Sequence, residues 1–201
     1  MFFFRNINNL KKIFILIIVF TVLKGCSSTD MKSFSNKTPK LDLFNFFLGE
    51  TIAYGIFEDR FGNLKRQFRV NINGYIKDNK LILDEKFLYD DGETDERLWT
   101  ISKDKVLQNQ TKYSGSAEDI EGIAKGSVSG NTLNWSYDIY LNIKGTKLKV
   151  HFNDWIYQQD ENVAINRAYV SKFGINIGSV TLVFLRGNAA KIIGPLNLNK
   201  W

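Results

Sequence analysis

The chain predicts an all-β fold: an antiparallel up-and-down β-barrel of about ten strands, of the lipocalin-like or fatty-acid-binding-protein-like kind. Three observations predict it. From Gly49 onward apolar residues recur at period two, the repeat of a strand with one buried face. Turn residues interrupt that repeat at short, regular intervals. The segments between turns are joined by short connections, which favours a meander; a meander this long must close or leave two edges open to pairing. A sandwich of two meandering sheets is the alternative.

The elements follow in order. Residues 41–48 (LDLFNFFL) are dense in apolar side chains. They read as a short helix, which could close one end of the barrel, or as an extended lead-in; packing against the domain is favoured over exposure of the phenylalanines to a membrane surface. Strands are expected at 51–58, 64–75, 80–89, 94–102, 106–114, 123–129, 132–143, 147–158, 162–170 and 175–185. The clearest alternation runs from Leu133 through Trp135, Tyr137, Ile139 and Leu141, against Asn134, Ser136, Asp138 and Tyr140. Asp90-Asp91-Gly92-Glu93 joins two strands, and Asp-Gly suits a type I′ hairpin. Residues 186–201 have no strong period and are expected to pack loosely.

Before the barrel lies a different composition. Arg5, Lys11 and Lys12 precede residues 13–23 (IFILIIVFTVL), an apolar run of 11 residues, short for a permanent membrane helix and suited to a signal peptide. Leu23-Lys24-Gly25-Cys26 resembles the lipobox of bacterial lipoproteins. The resemblance implies cleavage after Gly25, lipidation of Cys26 and a membrane anchor; Ser27 after the cysteine implies sorting to the outer membrane, facing the periplasm. The domain plan is thus a signal peptide at 1–25, a lipidated cysteine and flexible tether at 26–40, a barrel at 41–185 and a tail at 186–201.

Composition excludes several functions. The leader carries four cations and no acid, so its removal lowers the formal net charge from +6 to +2, and nucleic acid is not an expected partner. Cys26 is the sole cysteine and His151 the sole histidine, so neither a disulfide nor a zinc site of His and Cys is expected. No P-loop, dinucleotide fingerprint or nucleophile elbow is present, and a Ser-His-Asp site would have to use His151. No cofactor, metal or catalytic residue is assigned, and a non-enzymatic role is favoured.

The informative residues are charges on apolar strand faces. Counting by twos places Glu85 and Tyr89 with Leu81, Leu83 and Phe87; Arg97 with Trp99 and Ile101; Asp154 with Val150, Phe152 and Ile156; and Arg167 with Val163, Ile165 and Tyr169. If these faces are interior, the charges must pair or meet a charged ligand. Two readings stay open: mutual pairing that fixes register, or Arg97 or Arg167 holding the anionic end of a fatty acid or phospholipid.

Several spaced motifs agree with a known family. They are Phe47-x-Gly49, Ala53-x-Gly55-x-Phe57-x-Asp59-Arg60-Phe61-Gly62, Tyr89-Asp90-Asp91-Gly92-Glu93, Arg97-x-Trp99, Asp154-Trp155, Asn166-Arg167 and Lys172-Phe173-Gly174. Over about residues 44–185 the chain resembles a family of uncharacterised bacterial lipoproteins, domain of unknown function 3833. Tyr54 stands where that family often has tryptophan. The resemblance implies lipoprotein anchoring and a lipid-related role, and supplies no catalytic residues. A binding module for an apolar ligand, an assembly lipoprotein with an envelope protein partner, and a barrel enzyme acting on lipids through Glu85 or Tyr89 are the three functional expectations.

Overall fold

A computed structural model describes residues 29–107, 109–143 and 145–201. The expected signal peptide at 1–25 and Cys26 lie outside the described residues. Met31–Trp201 forms one compact unit. Ten antiparallel strands close into a barrel in the order β1-β10-β9-β8-β7-β6-β5-β4-β3-β2, so the up-and-down barrel is correct and the sandwich is not. The strands are β1 (Gly49–Asp59), β2 (Leu64–Lys77), β3 (Lys80–Tyr89), β4 (Thr94–Leu107), β5 (Gln110–Ser116), β6 (Ile120–Ser129), β7 (Thr132–Ile143), β8 (Thr146–Gln158), β9 (Val163–Lys172) and β10 (Ile175–Arg186). Pairing of β1 with β10 removes both edges.

The chain enters β1 from a short helix, α1 (Leu43–Phe47), whose N-cap Asp42 accepts a hydrogen bond from the Asn45 amide at 3.0 Å. Leu43, Phe46 and Phe47 are buried. Phe47 meets Phe184 edge-on and Phe44 meets Tyr113. The helix therefore closes the end of the barrel where β1 begins and β10 ends. The other end carries the turns after β1, β3, β5, β7 and β9.

Inward-facing side chains form one continuous core that includes Val70, Leu81, Trp99, Ile101, Trp135, Ile139, Val150 and Ala168. The ring of Trp135 crosses the barrel wall at Gly115 and Gly126. A Cβ at either position would lie 2.7 Å and 2.3 Å from ring carbons, so only glycine admits the indole. Phe57, Tyr89, Tyr137, Leu141, Leu148, Phe152 and Leu182 pack on the core but are only partly buried; of these Phe57, Tyr89, Leu141 and Leu148 lie toward the turn-bearing end.

Four expectations need correction. First, β4 runs through Lys103 and Asp104 to Leu107, where a turn was expected; an irregularity between Lys103 and Val106 lets the strand bend without ending. Second, the hairpin after β3 is not type I′. Of its residues only Gly92 has positive φ (84°), and the Gly92 amide donates to the Tyr89 carbonyl, a type I turn closed by a left-handed glycine. Third, the tail is not loose. It forms α2 (Gly187–Ile193) and then crosses the outside of the barrel, where Asn71 donates to the Leu196 carbonyl and accepts from the Leu196 amide, both at 2.9 Å. Fourth, the tether is shorter than expected. Met31–Phe34 forms a 3-10 turn, and Phe34 packs on Trp155 and Tyr157.

Candidate functional site

Part of the inner wall of the barrel is polar. Glu85 on β3 and Arg97 on β4 are direct cross-strand partners. Arg97 Nη1 lies 3.9 Å from Glu85 Oε2. The Arg97 guanidinium also holds Asp119, from the turn between β5 and β6, with Nε 2.9 Å and 3.2 Å from its two oxygens and Nη2 2.9 Å from Oδ2. This is the forked geometry that arginine gives a carboxylate. The same guanidinium lies 5.5 Å from the Phe87 ring centroid.

Across the barrel, Asp154 on β8 and Asn166 on β9 face inward. Asn166 Nδ2 donates to Asp154 Oδ1 at 2.7 Å. Their other oxygens, Asp154 Oδ2 and Asn166 Oδ1, have no hydrogen-bond partner among the described residues, although the two residues are only 7% and 4% exposed. Tyr137 on β7 brings a hydroxyl donor close enough to hold the Asp154 carboxyl toward its charged form. It stacks on Phe152 and meets Trp99 edge-on.

Burial dominates the electrostatics. It pushes the Glu85 carboxyl up to about 7, against the pull of Arg97 and with the help of Asp119 and Asp154. It pushes Asp154 up to about 6, against the hydrogen bond from Asn166. Tyr89 rises to about 12 for the same reason. Burial works against the charge of Arg97, but Glu85, Tyr137 and Asp119 outweigh it and hold the guanidinium above its ordinary range. Yet the side chains of Glu85 and Arg97 keep 13% and 15% of their surface accessible. Both side chains therefore face inward while keeping a small accessible surface.

Each residue singled out in the sequence can now be placed. Glu85, Arg97 and Asp154 face inward as expected, and they share the site. Tyr89 faces inward at the rim, where the Arg66 guanidinium lies 3.5 Å from its ring centroid and also binds Asp91 and Glu93. Two of the hairpin's acids are thus held by a cation from its own sheet. Arg167 faces outward, contrary to expectation. It bonds Thr181 Oγ1 at 2.5 Å and Glu58 Oε2 at 3.3 Å, while the inner face of β9 is Ala164, Asn166, Ala168 and Val170. Asp119 and Asn166 were missed. The first lies in a turn with no periodicity, and the second sits on a face of small residues that the larger Ile165 and Tyr169 masked.

A second cluster lies on the outer face of the same strands. His151 Nδ1 is 2.7 Å from Asp138 Oδ1, and His151 Nε2 is 3.2 Å from Ser136 Oγ. Lys149 bonds Asp138 at 3.2 Å and also Glu121. The residues follow the order of a Ser-His-Asp triad. However, Ser136 sits mid-strand, paired with Lys125 on β6 and Asn153 on β8. Amides of a strand paired on both sides are committed to the ladder, so none is directed at a developing oxyanion. The His151 side chain is 46% exposed, and no enclosing wall excludes water.

Fold and site together define a lipocalin-like barrel with a polar group inside a partly accessible interior. The chain belongs to the family described as Protein of unknown function (DUF3833), which matches residues 20–186. Among solved structures it is similar to that of the S-type phycobiliprotein lyase CPES from Guillardia theta, with a TM-score of 0.54 and 8% identity over 72% of this chain and 90% of that one. At that identity the likeness concerns the fold. No curated protein matches the chain.

Proposed function

We propose that the protein is a binding module that takes an amphipathic small molecule into its barrel through the end opposite α1. The apolar part would lie among Phe57, Tyr137, Leu148, Phe152 and Leu182, and the polar part would meet the Glu85, Arg97 and Asp154 group. The observation that carries this reading is the accessible surface left on enclosed, charged, inward-facing side chains. A barrel built only for stability has little use for charge there, because buried charge is a weak source of stability. The lyase from Guillardia theta is by its name a phycobiliprotein lyase, and the likeness of fold supports a barrel able to take a ligand. The lipobox-like residues 23–26 support anchoring of the module to a bacterial envelope membrane through Cys26, with lipid as the first class of ligand to test. The polar site favours a revised ligand orientation: Arg97 is already engaged by Asp119, so it is not a free receptor for a carboxylate.

The test is saturable binding of an environment-sensitive apolar dye to the purified domain, with native mass spectrometry for co-purifying small molecules. Leu182→Trp, which places bulk in the interior, should weaken dye binding at least tenfold in a folded protein. A folded domain that binds no dye and carries no ligand would overturn the reading.

A further inference from the structure

We propose that two neighbouring turns, Arg60-Phe61-Gly62 and Lys172-Phe173-Gly174, form a docking tip for an anionic lipid surface, independently of what the barrel holds. Both lie at the end of the barrel opposite α1. β1 and β10 pair as far as Asp59 and Gly178, and the Arg60 amide donates to the Ile177 carbonyl at 3.1 Å, which holds the β1–β2 turn against β10. Each turn reads cation, phenylalanine, glycine. Phe61 and Phe173 are 75% and 93% exposed, and Leu64 and Ile175 beside them are exposed as well. One exposed ring on a surface is ordinary. Two on adjacent turns, each behind a cation, make a patch.

The fold does not account for Phe173. Lys172 pairs with Ile175 across the hairpin, which leaves a two-residue loop. Phe173 and Gly174 have φ of 52° and 77°, the pattern of a type I′ turn, whose first position suits asparagine, aspartate or glycine. A bulky side chain at positive φ is disfavoured. At its exposure the ring recovers little by burial, and its recorded partner is the Lys172 ammonium, 5.4 Å from the centroid. A side chain held where backbone and solvent both oppose it points to a use outside the fold.

The cations identify the partner. Arg60 lies 4.7 Å from the Phe61 centroid, and neither Arg60 nor Lys172 forms an ion pair among the described residues. Asp59, the acid at the start of the first turn, is held by Asn63 and by Lys65. A ring beside an unpaired cation suits a bilayer interface, where the ring enters the acyl boundary and the cation meets phosphate. Tips of turns are convex: a protein would have to supply two matching pockets, whereas a bilayer deforms around them. The acids of this end, Asp90, Asp91, Glu93, Asp95 and Glu118, come from the β3–β4 and β5–β6 connections, and Arg66 holds Asp91 and Glu93. Contact is therefore one-sided. Phe34 packs beside Gly130, in the turn after β6 at the α1 end, so the tip points away from the chain's entry and lipid is offered to it in trans.

The test uses residues 27–201, which contain the whole compact unit Met31–Trp201 and no acylated cysteine, sedimented with vesicles of phosphatidylcholine alone or mixed with phosphatidylglycerol. Mixed vesicles should be bound about tenfold more tightly than neutral ones. Phe173→Asn should weaken binding to mixed vesicles about tenfold, with an equal or higher urea midpoint because asparagine suits the turn. Phe61→Ser should give a similar loss, and both variants should keep dye affinity within twofold. Lys172→Gln should weaken binding to mixed vesicles only. Failure of the parent to bind vesicles, or undiminished binding by both phenylalanine variants, overturns this inference and leaves the binding reading standing. An envelope protein captured by the parent and lost in Phe173→Asn, without vesicle binding, assigns the tip to a protein and overturns the lipid surface. Vesicle binding as expected with no dye binding overturns the binding reading alone.

Discussion

Two polar clusters occupy opposite faces of the same pair of strands. On β7, Ser136 and Asp138 point outward and Tyr137 points inward. On β8, His151 points outward and Asp154 inward. Both clusters contain carboxylates, a cation and hydroxyls within hydrogen-bond reach. Outside, water screens every charge, and the hydrogen bonds from His151 and Lys149 hold Asp138 below its usual range. Inside, burial raises Asp154 and Glu85 instead. The outer cluster has the order of a catalytic triad without the enclosure that would make it one. The inner cluster has the enclosure, and its carboxyls are raised by burial. Enclosure, more than residue type, separates a solvated network from a site.

The largest expected effect contrasts a cation from each cluster. Arg97→Met should lower unfolding free energy by about 3 kcal/mol, because it leaves the enclosed Glu85 carboxyl without its cation. Lys149→Met should change it by less than about 0.5 kcal/mol. Urea denaturation at neutral pH measures both, and equal losses would break the distinction.

Next in size is a pH effect. Glu85 has a folded pKa of about 7 against an ordinary 4.5, so the folded protein binds the proton more tightly than the unfolded chain. Its contribution to stability is present below pH 4.5 and is lost as pH rises through 7, amounting to about 3 kcal/mol. Asp154 adds the same sign between 3.8 and about 6. In Glu85→Gln the urea midpoint should fall much less between pH 4.5 and 7 than in the parent protein. An unchanged slope would mean that Glu85 titrates as a solvated carboxyl.

The smallest effect is expected on the outside. His151→Ala and Ser136→Ala should leave stability within about 0.5 kcal/mol and should leave hydrolysis of p-nitrophenyl acetate at the background rate of the parent. An ester-cleaving activity lost in both variants would give the outer cluster a role that its exposed setting does not predict.

The barrel was legible because one buried face per strand leaves a period of two, and because short turns leave few other ways to connect the strands. Face assignment was harder. On β3, β4 and β8 large apolar side chains line the interior, so Glu85, Arg97 and Asp154 were placed inward correctly. On β9 the interior face is mostly alanine, opposite bulky rings, and the larger Ile165 and Tyr169 lie outside; the apolar face was therefore chosen by size, and Arg167 with it. Residues brought together by register were not legible at all. Asp138 and His151 are paired across β7 and β8, and a single-residue slip would have parted them. Asp119 reaches Arg97 from a turn, which leaves no periodic trace.

Trp99 gives the arrangement an optical consequence. Its indole is buried, meets the Tyr137 ring at 5.4 Å and the Trp135 ring at 5.7 Å, and hydrogen-bonds toward Glu85. Emission from an indole responds to charge and polarity within a few ångströms. Occupancy of the site, or a change in the protonation of Glu85, should therefore shift the intrinsic fluorescence of the protein. The same indole serves as wall and as reporter, so titrations on the unlabelled chain can follow the interior directly.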